Sequence, residues 1–293
     1  MRLLGSAAKL NAKGMVVAVN TLRLSGFPAA RSLLVNLTLR ENRTKYKRSV
    51  MGWAWSMVNP LATMLIFTFV FGFFLKIQPH RGEPSGLQNF GFFLISGLLP
   101  WNFLAGGLTA SCGSVIANAS LIKKVYFSRA VLPASSVLSA ATNLLIELGV
   151  LTVALLIIGQ MVLPFLPVAL VVIFLQLLFV LGLGMALAAL NVYFRDIEHF
   201  LGILLLLWFY STPILYPISL VRNAAVGSVT VPIETIYRLN PMVHFIDAYR
   251  ALFYDLRLPS LATFGWMILS AAIALAIGFL TFRKLEPRFA EEL

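Results

Sequence analysis

Long stretches of this chain carry no charge, and those stretches are the first rulers of its fold. A helix crosses the hydrocarbon core of a membrane with about 20 apolar residues. Residues 49–75, between Arg48 and Lys76, are uncharged, and a first span is predicted at about 57–75. The uncharged interval 84–122, between Glu83 and Lys123, is 39 residues long. As one helix it would measure roughly 58 Å, more than a simple crossing needs. Pro100, Gly106 and Gly107 interrupt it, so the pattern predicts one broken span at about 90–117. Residues 134–158 hold a single charge, Glu147, while 166–190, 200–216 and 259–282 hold none. "GQMVLPFLP" (159–167) reads as a proline-marked turn. The expected fold is an all-α polytopic membrane protein with six transmembrane helices.

The polar intervals have structure of their own. Residues 28–52 read as an amphipathic interfacial helix after Pro28. Ser32, Asn36, Arg40, Arg43 and Lys47 recur at helical spacing on one face, and Leu33, Leu34 and Leu37 on another. Such a helix suits the headgroup plane; packing on protein is the alternative. Trp53 and Trp55 follow at the expected water–lipid boundary. The segment 217–258 carries Arg222, Glu234, Arg238, Asp247, Arg250, Asp255 and Arg257, too many charges to span. It does hold a helix signal. Asn240 fits an N-cap and Pro241 the first helical position. Phe245, Ile246, Tyr249, Leu252 and Phe253 form an apolar stripe, with His244, Asp247 and Arg250 spaced three apart. A short helix pair on the outer side, before the last span, is expected. The domain layout is then a 1–27 extension, the 28–52 helix and a 53–293 six-span transmembrane domain. Small residues at helical spacing (Gly182 with Ala186, Gly184 with Ala188, and Gly106, Ala110, Ser114) point to close helix contacts, within a subunit or across a dimer.

Composition excludes a soluble domain: 59% of the 293 residues are hydrophobic and only 12% charged, against about 25% charged in soluble proteins. The formal net charge of +12 reads as positive-inside bias, not as nucleic-acid binding. No signal peptide is visible in residues 1–27, so the N-terminus is expected in the cytoplasm. With one crossing at 90–117, both termini are cytoplasmic. Lysines and arginines then divide into an inside majority and six outside: Lys76, Arg81, Arg222, Arg238, Arg250 and Arg257. Two crossings would put the Lys123 loop outside and weaken that bias.

Several chemistries are missing. No G-x-x-x-x-G-K-[ST] phosphate loop occurs, so nucleotide binding by that means is excluded. His80, His199 and His244 are widely separated, and no metal site is expected. Cys112 is single, in an apolar run, and fits a packed residue. Glu147 is the one acid within a predicted span, a functional candidate by position alone. No pair of carboxylates is placed for acid–base work, so no catalytic residues are expected.

Three stretches in order carry a resemblance. "RTKYKRSVMGWAWSMVNPLATMLIFTFVFG" (43–72) leads into the first span. "NVYFRDIEHFLGILLLLWFYSTPILYP" (191–217) holds an aromatic-Arg-Asp turn at Phe194, Arg195 and Asp196. "LNPMVHFIDAYRALFYD" (239–255) holds an Asn-Pro…Tyr-Arg helix with Asn240, Pro241, Tyr249 and Arg250. From about residue 28 onward the chain resembles the polysaccharide-export permeases of the ATP-binding-cassette superfamily, which export O-antigen, teichoic acid or galactan.

The resemblance implies a homodimer of six-span subunits in a bacterial cytoplasmic membrane, joined to two copies of a separate ATPase that holds the ATP and magnesium. The substrate implied is a polyprenyl-pyrophosphate-linked glycan. Contact with the ATPase falls on "NASLIKKVYFSRAVLP" (118–133), with Lys123, Lys124, Tyr126 and Arg129. Arg40, Arg43, Lys45, Lys47 and Arg48 become candidates to meet the lipid pyrophosphate, since arginine forks and lysine point charges suit phosphate oxygens. Candidates to line the glycan's path are Phe67, Phe71, Trp101, Phe103, Trp208, Phe209 and Tyr210, with Trp101 and Tyr210 first. Asn240, Pro241, His244, Asp247, Tyr249 and Arg250 form an expected outer gate. Two other readings stay open: an exporter of drugs or lipids on the same architecture, and an integral-membrane enzyme. The second would need clustered acids or histidines, which the sequence lacks.

Overall fold

The computed structural model describes residues 27–45, 52–74, 79–125, 127–216 and 237–293. Among them all regular structure is helical, and five helical segments are long and apolar enough to cross a membrane. The chain is therefore a multi-pass integral membrane protein.

Helix α1 (Phe27–Lys45) comes first. The first long segment is α2 (Trp55–Phe67), extended by a π-helical stretch, Thr68–Phe74. It presents Leu65 and Phe73 outward. Helix α3 runs unbroken over Phe90–Ala117. Asn89 caps it, accepting from the amides of Gly91 (2.8 Å) and Phe92 (3.4 Å). The predicted break is absent because packing supports the weak positions. Gln176 donates to the Pro100 carbonyl at 2.8 Å, and Gly107 lies where a Cβ would meet Val180 at 2.8 Å. Short α4 (Ala119–Lys124) turns the chain into α5 (Val131–Ile157) and then α6 (Leu166–Tyr193).

Helix α7 (Ile197–Tyr210) differs from the expected full span at 200–216. Its 14 residues reach roughly 21 Å, short of the hydrocarbon core. Pro213 explains the stop, because a residue before proline is pushed out of the α region. Residues Ser211–Tyr216 continue without helix. Helix α8 (Pro241–Arg250) follows, with a π-helical extension Ala251–Asp255. Asn240 caps it from the β region, accepting from the Met242 amide at 3.0 Å. Its expected partner helix falls in 217–236, outside the described residues. Helix α9 (Leu261–Leu285), capped by Ser260, and a short α10 (Phe289–Glu292) complete the chain.

Two buried clusters organise the bundle. The larger joins α3, α5, α6 and α9 to α8; α8 is sunk among them, with Met242, Val243, Phe245, Ile246, Tyr249 and Arg250 buried. The smaller gathers Leu37, Val115, Ile122, Phe127, Leu132, Val192, Phe282 and Phe289. It brings α1, α4 and α10 to the same end of the bundle as the end of α3 and the start of α5. Helices α6 and α9 approach closely: a Cβ on Gly278 would lie 2.0 Å from the Gly182 carbonyl oxygen. The small residues near Gly182 thus serve contacts within the chain, while Gly106 faces open space.

The apolar stripe of α1 corrects an expectation. Leu37 is 5% exposed, and Leu33 and Leu34 pack with it against the smaller cluster. The stripe is covered by protein, because the ends of α3 and α5 offer it an apolar seat. The polar residues Ser32, Asn36, Arg40 and Arg43 face outward.

Candidate functional site

Helix α1 is held by polar contacts to two spans. The Glu41 carboxylate accepts from Ser136 (2.9 Å) and Ser135 (3.2 Å), and Asn42 Oδ1 accepts from Ser139 (2.6 Å). Arg40 Nη2 donates to Asn118 Oδ1 at 2.6 Å, beside the start of α4. Two open cavities flank this seam. One, about 670 Å³, lies between α1, α3 and α5 and is lined by Glu41, Lys45, Asn102, Thr109, Asn143 and Glu147 among others. The other, about 750 Å³, reaches α4 and is lined by Arg40, Thr44, Asn118, Ser120 and Lys124 among others. They share Glu41, Thr109, Ala110 and Ser136. The first cavity is a mixed hydrogen-bonding groove; the second is basic.

Burial holds the Glu41 carboxyl above the usual glutamate range, against the Ser136 and Ser135 hydrogen bonds and the Arg40 charge. The folded state therefore binds this proton more tightly than the unfolded one. Its stabilising contribution is full below the free-glutamate pKa and is lost as pH rises through the raised folded value. Amide hydrogen exchange along α1 is expected to quicken over that window, beyond the intrinsic rate, and Glu41→Gln is expected to flatten the change. An unchanged pH profile in Glu41→Gln would contradict it.

Of the basic cluster, Arg40, Arg43 and Lys45 lie on the last turns of α1 and are exposed; Lys47 and Arg48 fall outside the described residues. The expected ATPase contact is a compact corner. Ile122 is buried and Lys123 and Lys124 point outward. The Arg129 amide donates to Glu286 Oε1 at 3.2 Å, its guanidinium to the Glu286 carbonyl, and its Cζ lies 5.9 Å from the Phe289 ring centre. The corner is thus tied to the C-terminal helix. Tyr126 lies outside the described residues. Arg195 and Asp196 are exposed in the turn between α6 and α7.

The expected outer-gate residues fasten the half-helix α8. Arg250 is buried and forks to the carbonyls of Pro213 and Ile214, 2.7 Å each, with its Cζ 3.8 Å from the Phe93 ring centre. Asn240 Oδ1 accepts from Trp208 Nε1 (2.8 Å), and its Nδ2 donates to Thr212 (2.9 Å). Tyr249 donates to Gln176 Oε1 at 2.9 Å. The His244 ring stacks on Trp266 at 5.3 Å. Asp247 is half-buried beside the Arg250 charge.

The aromatic candidates divide. Trp101 (5% exposed) and Phe103 (3%) are core residues of this chain. Trp101 packs edge-on against Trp208 and Phe209, both half-buried. Phe67 and Phe71 stack on each other. Tyr210 alone of the seven is largely open, at 61%. For Trp101 the expectation of a free lining surface is corrected, since α3 is wrapped by its neighbours along most of its length, whereas Phe103, though little exposed, lines the first cavity. The groove residues Asn102, Asn143, Ser136 and Ser139 were missed as candidates; their signal is polar spacing of three and four inside apolar spans.

Long apolar helices, a buried half-helix and polar cavities at the α1 end make this a multi-pass membrane protein with polar space inside its bundle. Residues 32–254 match the family model of ABC-2 type transporters, and the chain belongs to that family. It is 32% identical over 263 residues to the O-antigen export system permease protein RfbA of Myxococcus xanthus, covering 90% of this chain and 96% of that one. It is 33% identical over 268 residues to RfbA of Klebsiella pneumoniae, covering 89% and 95%. The polysialic acid transport protein KpsM of Escherichia coli is 24% identical over 270 residues, covering 89% and 96%.

Proposed function

We propose that this chain is the permease of an ATP-binding-cassette exporter that carries a lipid-linked polysaccharide across the bacterial cytoplasmic membrane. The observation that carries this reading is the similarity to O-antigen export permeases over about nine-tenths of the chain. The chain itself is not an enzyme. ATP and magnesium belong to a separate ATPase, present in two copies on a permease homodimer.

Both described ends of the chain meet at one end of the bundle, which favours an even number of crossings. Five are made by the long helices. The sixth is made in pieces between Tyr193 and Leu261, by α7, the turn 211–216 and α8. The α1 end is cytoplasmic, in keeping with the basic residues of α1, α4 and the C-terminal helices. There the ATPase meets α4 and Arg129. The Arg40–Asn118 and Arg129–Glu286 contacts pass its movement to α1 and to the end of α9. The basic cavity at Arg40 and Lys124, with Arg43 and Lys45 beside it, receives the lipid pyrophosphate. The α8 region forms the outer gate, and Tyr210 is the aromatic placed to meet the glycan.

Depletion of the protein in its native cell is expected to strip glycan from the surface while lipid-linked glycan accumulates on the cytoplasmic side. Normal surface glycan after depletion would overturn the reading.

A further inference from the structure

We infer that Gln176 is a positioning residue for export, which locks the half-helix α8 to α3 and so ties the outer gate to the corner where the ATPase docks. The inference rests on the export reading and deepens it.

Helix α6 carries two amide side chains, Gln176 and Asn191. Both are fully buried, and both reach α3. Gln176 Nε2 donates to the Pro100 carbonyl at 2.8 Å, and Asn191 Nδ2 to the Cys112 carbonyl at 3.0 Å. Between these ties the helices approach closely. A Cβ on Gly107 would lie 2.8 Å from Val180, and one on Gly184 would lie 2.6 Å from Ser111 Oγ. Helices α3 and α6 are thus pinned at two depths and form one unit.

The Gln176 amide also reaches a third helix. Its Oε1 accepts from the fully buried Tyr249 of α8 at 2.9 Å. The orientation of the amide is forced. A carbonyl can only accept, so the nitrogen faces Pro100, the oxygen faces Tyr249, and the tyrosine donates. One turn away along both helices, Phe245 of α8 lies against Phe179 of α6, ring centres 5.5 Å apart. An apolar contact of that kind tolerates sliding, whereas the hydrogen bond is satisfied at one register. Interhelical hydrogen bonds inside a bilayer are modest in strength, so this tie sets register more than it adds stability.

Position gives the tie its consequence. Helix α3 ends at Asn118, which accepts from Arg40 and opens α4, the corner proposed for the ATPase. At the other end α8 is forked by Arg250 to the turn after α7. A shift of the α3–α6 unit therefore passes through Gln176 and Tyr249 to α8, and on to that turn. Without the lock, α8 can slide on Phe179 and the shift is lost before it reaches the gate.

The permease–ATPase complex in liposomes with lipid-linked glycan tests this with Gln176→Met, Tyr249→Phe and the double variant. ATP hydrolysis and ATP-driven glycan transfer are both measured per assembled complex. Each single variant strands one buried polar group, while the double leaves neither side chain stranded and regains stability. In all three, transfer is expected to fall about ten-fold while hydrolysis stays near the native rate. Tyr249→Phe deletes one hydroxyl and keeps the test open if Gln176→Met fails to assemble. Three results would each overturn the inference and leave the export reading standing: native transfer by Tyr249→Phe, a double variant that regains transfer together with stability, or hydrolysis that falls in step with transfer. A native complex that hydrolyses ATP but transfers no lipid-linked glycan sinks the export reading, and the inference with it.

Discussion

Gly278→Leu is expected to leave no folded permease. Helices α6 and α9 cross with their backbones in contact. A Cβ at 278 would sit 2.0 Å from the Gly182 carbonyl oxygen and 2.7 Å from its carbon, and one at 182 would sit 2.3 Å from the Ala274 carbonyl carbon. These neighbours are main-chain atoms and cannot rotate aside, so the two spans would have to part. Overpacking by extra methylenes usually costs about 1–3 kcal/mol where side chains can adjust. Without that freedom, a loss above roughly 3 kcal/mol is expected, enough to consume much of a typical stability. Close packing through small residues is a main source of helix association within a bilayer, and lipid cannot replace it. Size-exclusion profile and protease resistance in mild detergent measure the effect. A monodisperse, protease-resistant Gly278→Leu protein would show that the crossing is not as described. Gly265→Leu is the control, because nothing lies within 4 Å of its built Cβ.

Arg250→Met is expected to abolish export with the protein still inserted. The guanidinium makes two 2.7 Å hydrogen bonds to consecutive carbonyls of the turn after α7, and its face lies on Phe93. Hydrogen bonds to a charged group contribute about 1.5–3 kcal/mol each. Methionine matches the length of the stem but leaves both carbonyls unpaired. Segment 211–216 would lose both Arg250 ties to α8, keeping only those from the Asn240 cap, and become a new point of proteolytic cleavage. Arg250→Lys retains the charge but not the fork, and a smaller loss is expected. The measurement is export activity beside limited proteolysis of isolated membranes. Equal export by wild type and Arg250→Met would remove Arg250 from the proposed gate.

Which features were legible follows from physics. Hydrocarbon tolerates few charges, so uncharged intervals marked the long spans, and Asn240–Pro241 marked a helix start by local capping alone. The unbroken α3 was not legible, because its support at Pro100 comes from Gln176, far along the chain. The stop of α7 at Tyr210 was open to the eye in Pro213, yet the run of leucines before it dominated the reading. The stripe Leu33, Leu34, Leu37 fits lipid or protein equally well, and only the assembled bundle shows the seat it takes. Trp101 and Phe103 carry the same ambiguity: an aromatic on an apolar helix looks the same whether it faces a path or a neighbour. The groove needed three elements in one place, with Lys45 beside Glu147 and Asn102.

Transport in a defined membrane tests the central claim most directly. Permease and ATPase are reconstituted into liposomes with lipid-linked glycan, and glycan reaching the far side is measured with and without ATP. ATP-dependent transfer that is lost in Arg250→Met and reduced in Arg40→Gln with Lys124→Gln is the expected result. Glycan that stays on the side where it was supplied, while the complex hydrolyses ATP and moves small lipids instead, would contradict the account.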